Sequence, residues 1–329
     1  MKIVFMGTPD FAVPVLERLI EDGHDVGIVV TQPDRAGNRG KVIYSPVKQC
    51  AVDHDIDVLQ PDHISKDEES LSAIKAFAPD VMIVVAYGQI LKKNVLDIPK
   101  LGIYNVHASL LPKLRGASPI QHAILEGDER AGVTIMKVDE GLDTGDMLIS
   151  DSVEIGRMNF EELHDALSEL GAELMSKALK LIESGDAVFT KQNDEESTYA
   201  GMIMKQDGRI DFDDPAEAID RKIRAFDPWP GAFCELDGKT VKIWKAEPAG
   251  TFVPGTKGDD NDGTFVPGTK GEIGDAAPGT IVDADPSGIK VKCGSGVLVI
   301  KEMQLPGKKR TSVKDFLLGH NIEKGTILQ

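Results

Sequence analysis

The sequence predicts an α/β protein in which a doubly wound, mostly parallel sheet is followed by a small β-barrel. Three observations carry that expectation. Over residues 1–190, apolar strand-like runs alternate with amphipathic helical stretches, the pattern of successive β-α-β units with helices on both faces of a sheet. Val81-Met-Ile-Val-Val-Ala is apolar without a break, as strands buried on both faces are. Past residue 213 the pattern changes to short β-rich runs separated by turn residues, which suits a small barrel.

The elements follow in order. Ile3-Val-Phe-Met reads as the first strand, Phe11 to Ile20 as an amphipathic helix and Val26-Gly-Ile-Val-Val as the second strand. Ser45-Pro46 supplies a cap and a first-turn proline for another helix. Leu101 to His107 is a short strand, Ser118 to Leu125 a helix, Gly132 to Val138 a strand, and Phe160 to Glu183 the helix that closes the first domain. Residues 191–213 lie in a polar, turn-rich stretch and read as a linker. Pro215 to Phe226 is a helix, and short strands follow at Phe233, Val241, Gly279, Ile289 and Val297. The domains expected are therefore 1–190 and 214–329, since 329 residues exceed what one core usually encloses.

Composition narrows the class. Hydrophobic residues make up 41%, with no run near the ~18 residues of a membrane span. The N-terminal Met1-Lys-Ile-Val-Phe-Met-Gly runs into Pro9 and Asp10 without the small-residue cleavage site of a signal peptide. The three cysteines are scattered at 50, 234 and 293 and match neither a disulfide framework nor a metal spacing. A cytoplasmic, monomeric protein with no membrane association and no metal is expected. The turn Gly7-Thr-Pro-Asp-Phe-Ala is not Gly-x-Gly-x-x-Gly, so a nicotinamide enzyme loses its main support.

The chemistry concentrates where predicted strands give way to loops, the usual place for sites in open α/β sheets. Asn105 and His107 are two apart on a strand, so their side chains share a face. An amide can donate to an oxygen that gains negative charge, and an imidazole can donate to it or relay a proton. A carboxylate is the usual partner that orients such an imidazole; Asp139, Asp143 and Asp146 all lie in the next such loop. Glycines 141 and 145 there allow a sharp turn and a close approach. No Ser or Cys is needed if the nucleophile arrives with the substrate, and acyl transfer is the reaction these groups suit.

The run Asn105-Val-His-Ala-Ser-Leu-Leu-Pro-Lys-Leu-Arg-Gly-Ala-Ser-Pro-Ile, with Gly141-Leu-Asp-Thr-Gly-Asp-Met-Leu after it, resembles the signature of the 10-formyltetrahydrofolate-dependent formyltransferases. Phe5-Met-Gly-Thr-Pro-Asp-Phe-Ala, Val30-Thr-Gln-Pro-Asp-Arg, Ser45-Pro-Val-Lys and Ile223-Arg-Ala-Phe-Asp-Pro-Trp-Pro-Gly-Ala extend the likeness over nearly the whole chain. The resemblance implies a Rossmann-like first domain, an OB-like barrel, a folate co-substrate, and the amino group of methionyl initiator tRNA as acceptor. It assigns Asn105, His107 and Asp143 to catalysis and Ser109, Leu110, Leu111 and Pro112 to the folate site. Relatives with other acceptors use glycinamide ribonucleotide or an amino sugar, and one hydrolyses formyl-folate.

A formal charge of −17 repels a polyanion unless basic residues cluster locally. Two clusters are available: Arg35, Arg39, Lys41 and Lys48, and Lys301 with Lys308, Lys309 and Arg310. In members acting on tRNA, the resemblance implies that the first of these loops enters the acceptor end. This chain has Asp34-Arg-Ala-Gly-Asn-Arg-Gly-Lys where the family commonly has Asp-Arg-Pro-Ala-Gly-Arg-Gly-Lys. Arg35, Arg39, Lys41, Lys308, Lys309 and Arg310 are the expected tRNA contacts. Finally, Gly250-Thr-Phe-Val-Pro-Gly-Thr-Lys-Gly recurs from Gly263, and its composition suits an exposed connection between barrel strands.

Overall fold

The computed structural model describes residues 1–36, 42–249 and 276–329. The chain divides into two compact units. One holds residues 1–120, 129–156 and 162–202, the other 121–128, 157–161 and 203–329. The stretch read as a linker is thus shared out between the units rather than standing outside them.

In the first unit, β1 (Lys2–Gly7), β2 (Asp25–Val30), β3 (Asp57–Leu59), β4 (Val81–Val85), β5 (Ile103–His107), β6 (Arg130–Lys137) and β7 (Met147–Glu154) form a 7-stranded sheet in the order β7-β6-β5-β4-β1-β2-β3. The pairs from β5 to β3 are parallel, whereas β6 and β7 join antiparallel. The strand β7 escapes the hydropathy reading because Met147-Leu-Ile-Ser-Asp-Ser-Val-Glu is half polar. As an edge strand with no fully buried residue it needs no continuous apolar run.

Local signals explain the helix starts. Helix α1 (Val13–Glu21) follows a single 3₁₀ turn at Asp10–Ala12, two residues later than its hydrophobic pattern begins. Helix α2 (Pro46–Asp53) opens as expected, with the Ser45 hydroxyl accepting from the Lys48 N–H at 3.3 Å and proline in the first turn. Asp67 caps α3 (Glu68–Phe77) in the same way at 2.8 Å. After α4 (Pro119–Glu126), the long α5 (Phe160–Ser184) buries Leu163, Leu167, Leu174 and Ala178 on one face, at the spacing of a 3.6-residue repeat.

The second unit carries α6 (Ala216–Ala225), which buries Ile219 and Ile223. Beside it β8 (Ala232–Leu236), β9 (Lys239–Ala249), β10 (Ile281–Asp285), β11 (Gly288–Lys292) and β12 (Val297–Gln304) pair antiparallel in the order β8-β9-β12-β11-β10. The last residues join the two edges of this sheet. The Ile281 N–H donates to the Thr326 carbonyl and the Leu328 N–H to Gly279, both at 2.8 Å, while Glu235 and Gln329 exchange N–H to carbonyl bonds of 2.6 and 3.0 Å. Closure removes the unpaired edges that an open sheet leaves. Its interior is apolar, with Cys234, Val241, Ile243, Ile281, Val291, Leu298 and Leu328 in one cluster.

The duplicated segment 250–272, together with Arg39 and Lys41, lies outside the described residues. No described helix is long and apolar enough to cross a membrane.

Leu328 is 5% exposed and sits on the segment that closes the barrel, so Leu328→Ala should destabilise the chain by about 2–5 kcal/mol, the range for buried leucine truncation. Chemical denaturation followed by tryptophan fluorescence checks this, because Trp229 and Trp244 both lie in that unit.

Candidate active site

The site starts from the strand β5, which lies between β4 and β6. Asn105 stands in register with Val84 on one side and Met136 on the other, and His107 with Thr134. Their two-residue spacing sends both side chains to one face, as the sequence predicts. His107 is buried and Asn105 half-buried. The Asn105 carboxamide makes no hydrogen bond to any described residue, which leaves its NH2 available to a ligand oxygen.

Beyond His107 the chain folds back over β6. The Thr134 hydroxyl donates to the Ser109 carbonyl at 2.7 Å and accepts from the Leu111 N–H at 3.2 Å. The Ser109 hydroxyl in turn donates to the Lys113 carbonyl at 2.6 Å, with the residue 3% exposed. Ser109 therefore braces the loop. Of the four residues expected at the folate site, Leu110 is exposed, Pro112 half-exposed and Leu111 buried. The Leu111–Pro112 peptide is cis.

His107 is held from two sides. Its Nε2 lies 3.0 Å from the Leu114 carbonyl; a carbonyl oxygen only accepts, so Nε2 carries the proton of that bond. Its Nδ1 lies 3.7 Å from Asp143 Oδ1. The other carboxylate oxygen accepts from the Gly116 N–H at 2.9 Å. Asp143 is thus the carboxylate brought to the imidazole. Asp139 is spent on its own turn, accepting from the Gly141 N–H and the Thr144 hydroxyl at 2.9 and 2.8 Å, and Asp146 is exposed.

The turn that delivers Asp143 does so by an unexpected route. Its left-handed residue is Asp143 itself, at φ +54°, a region that Asp tolerates better than most residues. The neighbouring glycine is required for space instead: a Cβ on Gly145 would collide with the Lys137 carbonyl. At the facing loop, Gly116 has φ +116°, so the residue whose N–H meets Asp143 must be glycine.

Residues that sequence reasoning missed complete the site. Gln192 is 6% exposed. Its Nε2 donates to the carbonyls of Asp143 and Gly145, both at 2.8 Å, and its Oε1 accepts from Arg115 Nε and Nη2 at 3.0 and 2.9 Å. Thr198 accepts from the Leu114 N–H at 2.9 Å. Only the polarity of their surroundings was visible in sequence, and polarity signals a loop.

The basic residues are unequally placed. Arg35–Ala36 pairs antiparallel with Val42–Ile43. Lys48 is engaged within the protein, bound to Asp34 and to Gln60 and lying 4.1 Å over the Tyr44 ring. Its hydrogen bond holds the Asp34 carboxyl below the usual carboxylate range. Lys301 donates to the Ser287 carbonyl and pairs with Glu247. Arg310 makes a forked pair with Asp227 and stacks 3.9 Å over Trp244. Lys308 and Lys309 are exposed and form no ion pair with a described residue.

Among the described residues, Ser109 is committed to the loop and all three thiols are buried. A sheet of this topology with an amide, an imidazole and a carboxylate gathered at one strand suits a group-transferring enzyme whose second substrate brings the attacking atom. The chain belongs to the formyl transferase family: the family's formyl transferase domain matches residues 1–179 and its C-terminal domain residues 202–321. A methionyl-tRNA formyltransferase of Caldanaerobacter subterraneus subsp. tengcongensis is 45% identical over 331 residues, covering 100% of both chains. Among solved structures, the sugar 3N-formyl transferase WlaRD, solved in the presence of dTDP and 5-N-formyl-THF, superposes with a TM-score of 0.65 at 18% identity, covering 94% of this chain and 99% of its own. HypX from Aquifex aeolicus in complex with tetrahydrofolic acid gives a TM-score of 0.62 at 18% identity over 99% of this chain and 50% of its own.

Burial raises the thiols of Cys50, Cys234 and Cys293 to about 11, 12 and 11 respectively. A thiolate is the reactive form, so the folded protein should leave all three unlabelled by an alkylating reagent at pH 8, whereas denaturant should expose three. Mass spectrometry counts the adducts.

Proposed function

We propose that the chain transfers the formyl group of 10-formyltetrahydrofolate to the amino group of methionyl initiator tRNA, with Asn105, His107 and Asp143 as the catalytic residues. The full-length match at 45% identity carries the choice of acceptor. Fold alone does not make that choice, because an enzyme acting on a sugar superposes over nearly the whole chain. The unpartnered Asn105 amide beside His107 fits a substrate that brings a carbonyl oxygen. Leu110, Leu111 and Pro112 line the folate side, and the folate supplies the formyl carbon.

The amine nitrogen gains a bond to the formyl carbon, the carbon–N10 bond breaks with its electron pair left on N10, and N10 takes the proton that the amine gives up. Asn105 donates its amide hydrogen to the oxygen as charge builds there. His107 donates as well: an oxyanion accepts more strongly than a neutral carbonyl, so the Nε2–H leaves Leu114 for the charged oxygen. Asp143 faces Nδ1 and stabilises positive charge on the ring while a proton is in transit from amine to N10. The acceptor's ammonium form is inert until it loses a proton, and Asp143, reached through water, is the base for that step.

The second unit serves the tRNA body in this reading, with the exposed Lys308 and Lys309 meeting phosphates and Arg310 as the stacked support of Trp244. Arg35, Arg39 and Lys41 belong to the loop assigned to the acceptor end. The cytoplasm, where tRNA is charged, is the compartment for this reaction.

Labelled 10-formyltetrahydrofolate offered with methionyl initiator tRNA, glycinamide ribonucleotide and a nucleotide-linked amino sugar should label the tRNA alone; label on either small amine overturns the acceptor assignment. Asn105→Ala and Asp143→Ala should each lower kcat by ~10² or more, the scale of losing one preorganised donor, with folding retained by circular dichroism. Replacing Lys308 and Lys309 by Ala should raise KM for tRNA and flatten its salt dependence by about one unit of slope for each phosphate no longer neutralised, leaving KM for the folate unchanged.

A further inference from the structure

The stretch from Thr190 to Ala200 lies between the two family matches, which end at 179 and resume at 202. Its contacts are not those of a spacer. Thr190 bridges Met147 through paired N–H to carbonyl bonds of 2.8 Å. Thr198 holds the backbone of Leu114 and Arg115, and the Ala200 carbonyl accepts from the Ala117 N–H, each at 2.9 Å. Between these ties sits Gln192, buried although both its neighbours in sequence are exposed.

The Gln192 carboxamide is saturated by the two loops that build the site. Its NH2 binds the carbonyls of Asp143 and Gly145, and its oxygen binds two nitrogens of Arg115. Bonds to those carbonyls orient the peptide planes on the C-terminal side of Asp143, and with them the left-handed backbone from which the carboxylate projects. The Arg115 end is no less direct, because the next residue, Gly116, provides the N–H that holds Asp143 Oδ2. One side chain therefore fixes the backbone of the carboxylate and also the partner that aims it.

We infer that Gln192 is a positioning residue for formyl transfer, acting through Asp143 and touching neither substrate. The inference rests on the assignment of Asn105, His107 and Asp143 to catalysis. Glutamine suits the place chemically, since a double donor must meet two carbonyls while an acceptor meets a guanidinium. Glutamate keeps the contact with Arg115 but sets a negative charge against two carbonyl oxygens. Methionine keeps the volume and makes neither set of bonds.

The test uses the full chain, with kcat and KM measured well below each variant's melting temperature. Gln192→Met and Gln192→Glu should each lower kcat by ~10-fold or more, as displacement of a catalytic group by an ångström does, while KM for 10-formyltetrahydrofolate and for tRNA stays within about twofold of the parent. Added to Asp143→Asn, Gln192→Met should cost less than about threefold further, because a residue acting through a carboxylate has nothing left to position once that carboxylate is gone. A merely structural glutamine would lower the melting temperature and leave kcat intact, or would cost as much in the Asp143→Asn chain as in the parent; either result overturns the inference. If Gln192→Met fails to fold, Gln192→Glu decides by the same criteria. Normal turnover in Asp143→Asn would sink the catalytic assignment and this inference together, whereas an impaired Asp143→Asn beside a normal Gln192→Met sinks the inference alone.

Discussion

The left-handed backbone at Asp143 is the constraint around which the site is arranged. A non-glycine residue in that region costs about 1–2 kcal/mol, and Asp143 shares it with Leu114 on the opposite loop. Both meet at His107: one nitrogen of the ring lies against the Leu114 carbonyl, the other faces the Asp143 carboxylate. Strain of this kind persists where the surroundings over-determine it. Here they do so through the Gly116 N–H, the Gln192 amide and the Thr198 hydroxyl.

The sheet supplies what those loops cannot. Antiparallel β6 beside β5 sets Thr134 opposite His107, and the Thr134 hydroxyl anchors the loop from Ser109 to Leu111. Antiparallel β6 runs away from His107, with Lys137 opposite Tyr104, so the loop that follows folds back along the sheet to bring Asp143 to the imidazole. Placement at the carboxyl ends of parallel strands agrees with the general location of sites in open α/β sheets.

Charge is handled locally in a protein whose total is −17. Several of its cations are neutralised at home: Lys48 by Asp34, Lys301 by Glu247 and Arg310 by Asp227. Arg310 also lies flat on Trp244, where the guanidinium gains from the ring face. Counting basic residues along the chain overstates what is free to meet phosphate, because an ion pair forms between residues as distant as 227 and 310. The pair Lys308 and Lys309 keeps its charge exposed.

Much of this protein is written locally. Apolar runs such as Val81 to Val85, the Ser45-Pro46 helix start and the two-residue spacing of Asn105 and His107 each depend on neighbours in sequence, so composition and periodicity alone determined the alternating sheet, several of its helices and one shared face for an amide and an imidazole. Tertiary structure decided the rest. Residue type and spacing left three aspartates within eight residues alike, the resemblance singled out Asp143, and only the fold set that one against His107. The edge strand β7, the closure of the barrel by Leu328 and Gln329, and the burial of Gln192 in a polar stretch leave no periodic trace. Each is set by partners far along the chain, and hydrogen bonds between distant residues impose no pattern on the residues beside them.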